Sequence, residues 1–207
     1  MFLLSPADCN GTRGAQVLSP RANGETARKL RSAEGIPLGE LFSFVSGLYF
    51  RGKLNYARHF AVPPEVGNPI VGSGVHVITT NAGLRSPETP VTLTAIRRFA
   101  AEDIDADNRA YRRPLVQSAQ ALRREAGDCD VVLLGSIASP KYVDALLDVF
   151  GPRLHFPIDF VGRGDMSRGG LLLRQVAAGV ELAYVPVAGA VRHGPRPPKL
   201  TPWLDRR

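Results

Sequence analysis

The chain has 207 residues, 44% of them hydrophobic, and a net charge of +7. That length fits one large domain, and the apolar fraction is enough to build a core. No apolar run approaches the roughly 18 residues of a bilayer span, and the start Met-Phe-Leu-Leu-Ser-Pro-Ala-Asp reaches polar residues too soon for a signal peptide. The two cysteines, Cys9 and Cys129, sit in no metal or redox motif. A cytoplasmic, reduced protein with no membrane association, no metal and no cofactor is therefore the expectation. The basic excess lies in the first hundred residues and the last sixty or so, around a middle that is more acidic than basic. Arg greatly outnumbers Lys. Guanidinium forks suit phosphate and carboxylate, so the charge points to a polyanionic partner or to a solvated Arg-rich surface.

Phe2 to Leu4 reads as a first strand, broken by Ser5-Pro6. The turn-formers from Ala7 to Gly14 follow, and with Ser5 and Arg13 they can present donors to an anion. Their glycine spacing matches neither the P-loop nor the dinucleotide fingerprint. Thr26 to Leu30 suits a short basic helix before the break at Gly35-Ile36-Pro37. Leu38 to Phe60 is helical in pattern with an interruption at Ser46-Gly47. Tyr49, Phe50, Lys53, Leu54, Ala57 and Phe60 share one side of that helix. Tyr49 and Phe50 read as core, while Arg51 and Lys53 can reach phosphate or simply face solvent.

Pro63 to Gly74 is a loop, and Val75 to Thr80 is a strand that stops at the turn Asn81 to Pro87. His76, inside that apolar run, reads as a satisfied core histidine. Residues 102–114 carry four acids and then Arg109, Arg112 and Arg113, a solvated or arginine-paired segment that lacks the glycine and closing glutamate of a calcium loop. A helix is expected from about Pro114 to Ala126.

Val131 to Leu173 organises the rest. Val131 to Leu134 reads as a buried parallel strand, and Gly135-Ser136 as the turn after it. Ser139 is placed to cap a helix with Pro140 at its first position and Gly151 at its end. Leu154 to Phe156 is the next strand. Gly162 to Gly170 is rich in glycine and charge, with Asp165 or Ser167 placed to cap a helix running through Val176; flanked by Arg163 and Arg168, it reads either as an anion site or as a capped turn with Asp165 paired to an arginine. Glu181 to Val187 completes the strands. An α/β domain over residues 1–191 is expected, with a mainly parallel Rossmann-like sheet flanked by helices, followed by a Pro- and Arg-rich tail over residues 192–207.

In such a sheet the polar turns after the strands converge on one edge, where ligands bind. Asp165 is the first acid/base candidate and Asp8 the second. Cys9 is a nucleophile candidate, with a structural thiol as the competing reading. Ser5, Arg13, Arg51, Lys53, Thr80, Ser136, Lys141, Arg163, Ser167 and Arg168 are the candidates for holding phosphate or nucleic acid. His155 and His193 are weaker acid/base candidates.

Phe2-Leu-Leu-Ser-Pro-Ala7, Ser46-Gly-Leu-Tyr-Phe50 and Ile78-Thr-Thr-Asn-Ala-Gly-Leu-Arg-Ser-Pro87 resemble the peroxide-stress YaaA family and related DUF6884-like domains. The resemblance covers roughly the first 90 residues. Asp8 stands where the YaaA proteins have a lysine, so no role of that lysine carries over. The resemblance implies an α/β protein with a basic cleft for DNA and a part in the DNA-damage response or in acting on modified bases. Two functions follow as expectations. One is binding of DNA or a nucleotide, with RNA as a further partner class. The other is an enzyme acting on a nucleoside, a nucleotide or an N-glycosidic bond through Asp165. Nothing in the residues sets the oligomeric state.

Overall fold

The computed structural model describes residues 1–200. Six strands form the main sheet, and the three central ones grow from the apolar runs expected of buried parallel strands. β1 (Phe2–Leu4) leads into α1 (Thr12–Leu18), α2 (Glu25–Arg31), the short β2 (Ile36–Pro37), α3 (Leu38–Ser46) and α4 (Leu48–Phe60). β3 (Val75–Ile78), β4 (Leu84–Arg85) and β5 (Pro90–Val91) follow, then α5 (Leu93–Ala100) and α6 (Arg109–Ala126). The last third comprises β6 (Val131–Leu134), α7 (Pro140–Phe150), β7 (Leu154–Pro157), α8 (Asp165–Ala178) and β8 (Tyr184–Pro186).

The strand order is β4-β3-β1-β6-β7-β8, and β2 pairs with β5 in a separate two-stranded sheet. β1 runs parallel to both β3 and β6, with Phe2 level with Val75 and Val132, and β6 runs parallel to β7. Only the edge strands β4 and β8 are antiparallel. The two-residue period of the strands divides the core. Phe2, Leu4, Val77, Val132 and Leu134 pack against α1 to α5 and α8, while Leu3, Ile78, Val131 and Leu133 pack against α6 and α7. The chain leaves β1 towards β3 over one face and returns to β6 over the other. The turns after β1 and β6 therefore diverge, and the crevice between them is the topological switch point of the sheet.

Local chemistry explains most boundaries. Gly47 breaks α3 from α4 with φ +65°, a conformation that side chains rarely adopt. Ser139 caps α7 by accepting the Lys141 N–H, with Pro140 in the first turn, and Gly151 ends it at φ +57°. α6 differs from expectation. It begins at Arg109, because the Asn108 side chain accepts the Ala110 N–H and Tyr111 and Leu115 are buried. Pro114 thus lies inside the helix, and its carbonyl accepts the Ser118 hydroxyl at 2.7 Å. α8 is capped by Gly164, and Asp165 is its first residue rather than its cap. His76 is buried as expected, but its Nε2 has no hydrogen-bond partner, and burial holds its pKa down at about 4. From Val191 to Leu200 the chain forms no helix or strand, and the rest of the expected tail lies outside the described residues. No helix among the described residues is long and apolar enough to cross a membrane.

Candidate functional site

The carboxyl ends of β1, β3 and β6 bring Ser5, Thr80 and Ser136 to one edge of the sheet, around a crevice of about 460 Å³. α7 contributes Lys141 and Tyr142, α4 contributes Tyr49, and the start of α8 contributes Asp165. The turn after β6 approaches β1 closely. A Cβ on Gly135 would lie 2.8 Å from Ser5 Cβ and 3.0 Å from the Tyr142 hydroxyl, so only glycine fits.

Beneath the crevice lies Lys53, 1% exposed. Its Nζ donates to the Ser5 carbonyl at 2.6 Å and to Ser5 Oγ at 2.8 Å, and it stands 4.4 Å from the centre of the Tyr49 ring. Burial disfavours the ammonium and lowers its pKa to about 7, with Asp165 opposing and Arg168 reinforcing that fall. The Tyr49 hydroxyl is buried without a hydrogen-bond partner, although the Arg168 guanidinium lies near it, and burial raises its pKa. Tyr142 donates to the Ser136 carbonyl at 3.0 Å and is likewise pushed up by burial.

Apart from Lys53, which lies beneath the crevice, the candidates separate into three groups. Ser5, Asp8, Cys9, Thr80, Ser136, Lys141 and Asp165 line the crevice. Within that group Thr80 gives its hydroxyl to the Phe99 carbonyl at 2.9 Å, and Asp8 accepts the Asn10 N–H at 2.8 Å. Cys9 is 3% exposed, and burial together with the Asp8 charge raises its thiol to about 12, so it stays protonated at neutral pH. That environment favours the structural thiol over the nucleophile.

Arg13 and Arg51 form the second group, in a separate groove of about 480 Å³ shared with Phe44 and Gly47. The third group is held by the fold. Arg168 is 7% exposed, gives two hydrogen bonds to the Phe160 carbonyl at 3.2 and 3.0 Å, and pairs with Asp165 at 3.2 Å. Arg163 donates to the Asp159 carbonyl at 2.9 Å and to Ser167 Oγ at 3.3 Å. Arg163, Ser167 and Arg168 are thereby occupied with one another and with the backbone.

Two acids read as a solvated segment, Glu102 and Asp103, also line the crevice. No local signal marks them, because the loop after α5 is folded over the site only by tertiary packing. With Asp8 and Asp165 they outnumber the one ammonium in the lining, that of Lys141. The wall is therefore acidic where a basic cleft was expected. No three His, Cys, Asp or Glu side chains come together as a metal site among the described residues.

Compared with protein-family models, curated proteins and solved structures, the chain matches none.

Proposed function

We propose that the crevice binds a nucleoside- or mononucleotide-sized ligand, held as in Rossmann-like folds at the carboxyl edge of the sheet, and that Asp165 acts on it. The observation that carries this reading is the convergence of three parallel strand ends and two helix starts on one cavity of about 460 Å³. That size suits a small ligand, and the switch point is where α/β sheets hold one. The resemblance to the YaaA family supports it. Ser5, Pro6 and Ala7, then Ser46 and Tyr49, and finally Thr80 come one group from each of the three similar stretches, and all of them line this crevice. The carboxylates of Asp8, Glu102 and Asp103 can accept from sugar hydroxyls or from the amino groups of a base. Lys141, in the first turn of α7, suits a phosphate.

Asp165, exposed at the start of α8, can orient or deprotonate a hydroxyl or a water. In a panel of nucleosides and mononucleotides and their acyl derivatives, with affinity measured by calorimetry and product formation by chromatography, at least one member binds and is turned over. Asp165→Asn lowers that turnover by about 100-fold or more, while affinity stays within about threefold. A panel in which nothing binds would sink the reading.

A second reading, DNA binding, is favoured by the groove that holds both Arg13 and Arg51. Two phosphate contacts there give a slope of log affinity on log salt of about −2, which Arg13→Ala with Arg51→Ala abolishes. Duplex binding that ignores salt, or survives the double change, counts against it.

A further inference from the structure

We propose that Ser5 is a nucleophile with Lys53 as its general base, and that the ligand of the crevice carries an acyl carbon, as an ester or an amide. This rests on the reading of the crevice as a small-molecule site and adds the class of bond it would open. Ser5 lines the crevice and its Oγ stands 2.8 Å from Lys53 Nζ. Lys53 itself is 1% exposed and forms no part of the lining, so its Nζ can exchange protons only with atoms that lie beside Ser5 Oγ, whether the Ser5 hydroxyl, the leaving group or the attacking water. Ser5 is itself only 6% exposed, and a serine at the wall of a cavity whose hydroxyl is hydrogen-bonded to a buried amine is a recurring way to activate a nucleophile.

A lysine that merely tied down the end of β1 would need only the Ser5 carbonyl. Here the same Nζ reaches the hydroxyl as well. No carboxylate is among its hydrogen-bond partners in the described residues, and although the Tyr49 and Phe50 rings, 4.4 and 4.9 Å away, favour the ammonium, they also close it off from water. Asp165 and Arg168 from α8 are the charged groups that act on it, with opposite signs, and burial outweighs both to bring the amine to a pKa of about 7. Tyr142 of α7 also lies within hydrogen-bonding reach of Ser5. The Tyr49 hydroxyl supplies the second, independent feature. It is buried beside the crevice with the Arg168 guanidinium near it but no hydrogen bond of good geometry, so its proton is open to a ligand oxygen gaining negative charge.

The chemistry balances without a further reactant. Neutral Lys53 accepts the Ser5 proton as Oγ attacks the acyl carbon, and the oxyanion so formed accepts from Tyr49. Collapse breaks the bond from the acyl carbon to oxygen or nitrogen, and the departing alcohol or amine leaves with the proton from Lys53. Water then attacks the acyl-Ser5 ester and gives a proton to Lys53. The carboxylic acid departs and Ser5 regains its hydrogen from Lys53.

The test uses the whole chain and a fluorophosphonate, which phosphonylates activated serines, read by intact mass and peptide mapping between pH 6 and pH 9. One adduct is expected, on Ser5, forming faster as pH rises through about 7 and levelling above it. Ser5→Ala gives none. Lys53→Arg, which keeps a cation that cannot act as a base, and Lys53→Met slow it by about 100-fold or more, with circular dichroism reporting that each is folded. Where neither Lys53 variant folds, the profile of the unaltered chain decides, and a rate flat from pH 6 to pH 9 overturns the proposal. So does the absence of any Ser5 adduct, or an adduct in Lys53→Arg at the unaltered rate. Nucleoside binding by Ser5→Ala separates the two readings. Binding without an adduct on the unaltered chain overturns the dyad alone, whereas neither binding nor adduct overturns both.

Discussion

Gly169→Val destabilises the protein by about 3 kcal/mol or more, and Gly169→Ala by about 1–3 kcal/mol, in a chain where alanine would otherwise strengthen the helix. An ordinary glycine inside a helix costs about 0.5–1 kcal/mol relative to alanine. Gly169 is not ordinary, because α4 and α8 cross there backbone to backbone. A Cβ on Gly169 would stand 2.8 Å from Tyr49 Cα and 2.9 Å from the Leu48 carbonyl oxygen. On the facing helix, a Cβ on Gly52 would stand 2.7 Å from the Gly169 carbonyl oxygen. Neither neighbour is a flexible side chain that can swing away, so the helices must part. Parting them moves Tyr49 and Lys53 on α4 away from Asp165 and Arg168 on α8, and with them one wall of the crevice. Urea unfolding midpoints of the two variants check the sign. An alanine variant more stable than the parent chain would mean that the helices are not in contact there.

Lys53→Met changes how stability depends on pH. Folding lowers the Lys53 pKa from the model-compound value of 10.5 to about 7. Between those values the unfolded chain holds the proton and the folded chain does not, so stability rises with pH across that window. Below about pH 7 both states are charged, and the full burial penalty opposes folding. The rise is worth up to about 1.4 kcal/mol per pH unit for one proton. Lys53→Met removes it. The variant is therefore at its most favourable relative to the parent chain near pH 6, and loses that advantage steadily towards pH 10. The Met1 ammonium, also lowered by burial, contributes a rise of the same sign in both chains and cancels from the comparison. The Tyr49 and Tyr142 hydroxyls are raised above their ordinary value and stay neutral through most of the window. Denaturant midpoints of the two chains at pH 6, 8 and 10 supply the test. A constant offset at all three would mean that Lys53 keeps its proton when buried.

Both experiments turn on helix α4, where the sequence was partly readable. Helical spacing placed Lys53 on the same side as Tyr49, Phe50 and Leu54, the apolar stripe, and all four are buried. By charge type alone the same cation suits phosphate or solvent, because charge type does not tell a buried amine from a solvated one. The helix break at Gly47, the Ser139 cap and the apolar runs of β1, β3 and β6 were equally legible, since each depends on neighbours within a few residues. The start of α6 was not. Pro114 looked like a boundary, but the Asn108 cap and the burial of Tyr111 carry the helix past it.

By itself, then, the sequence determined the central strands, the helices α4 and α7, and that the polar turns after the parallel strands would share an edge, but not α1, α5 or the short strands β2, β4 and β5, which lie where it reads turns, a break or no element. Periodicity and capping are local, and strand direction follows once the crossovers are helical. Tertiary structure alone decided the character of that edge. It folded Glu102 and Asp103 over the crevice, locked Arg163 and Arg168 onto backbone carbonyls, and set Arg13 and Arg51 in another groove. It also pressed Gly52 against Gly169 and left Lys53 with Ser5 as its nearest partner. The contacts of Lys53 with Ser5 and of Gly52 with Gly169 join residues far apart in the chain, and the energy of a charge depends on what surrounds it in space. No spacing along the sequence encodes that environment.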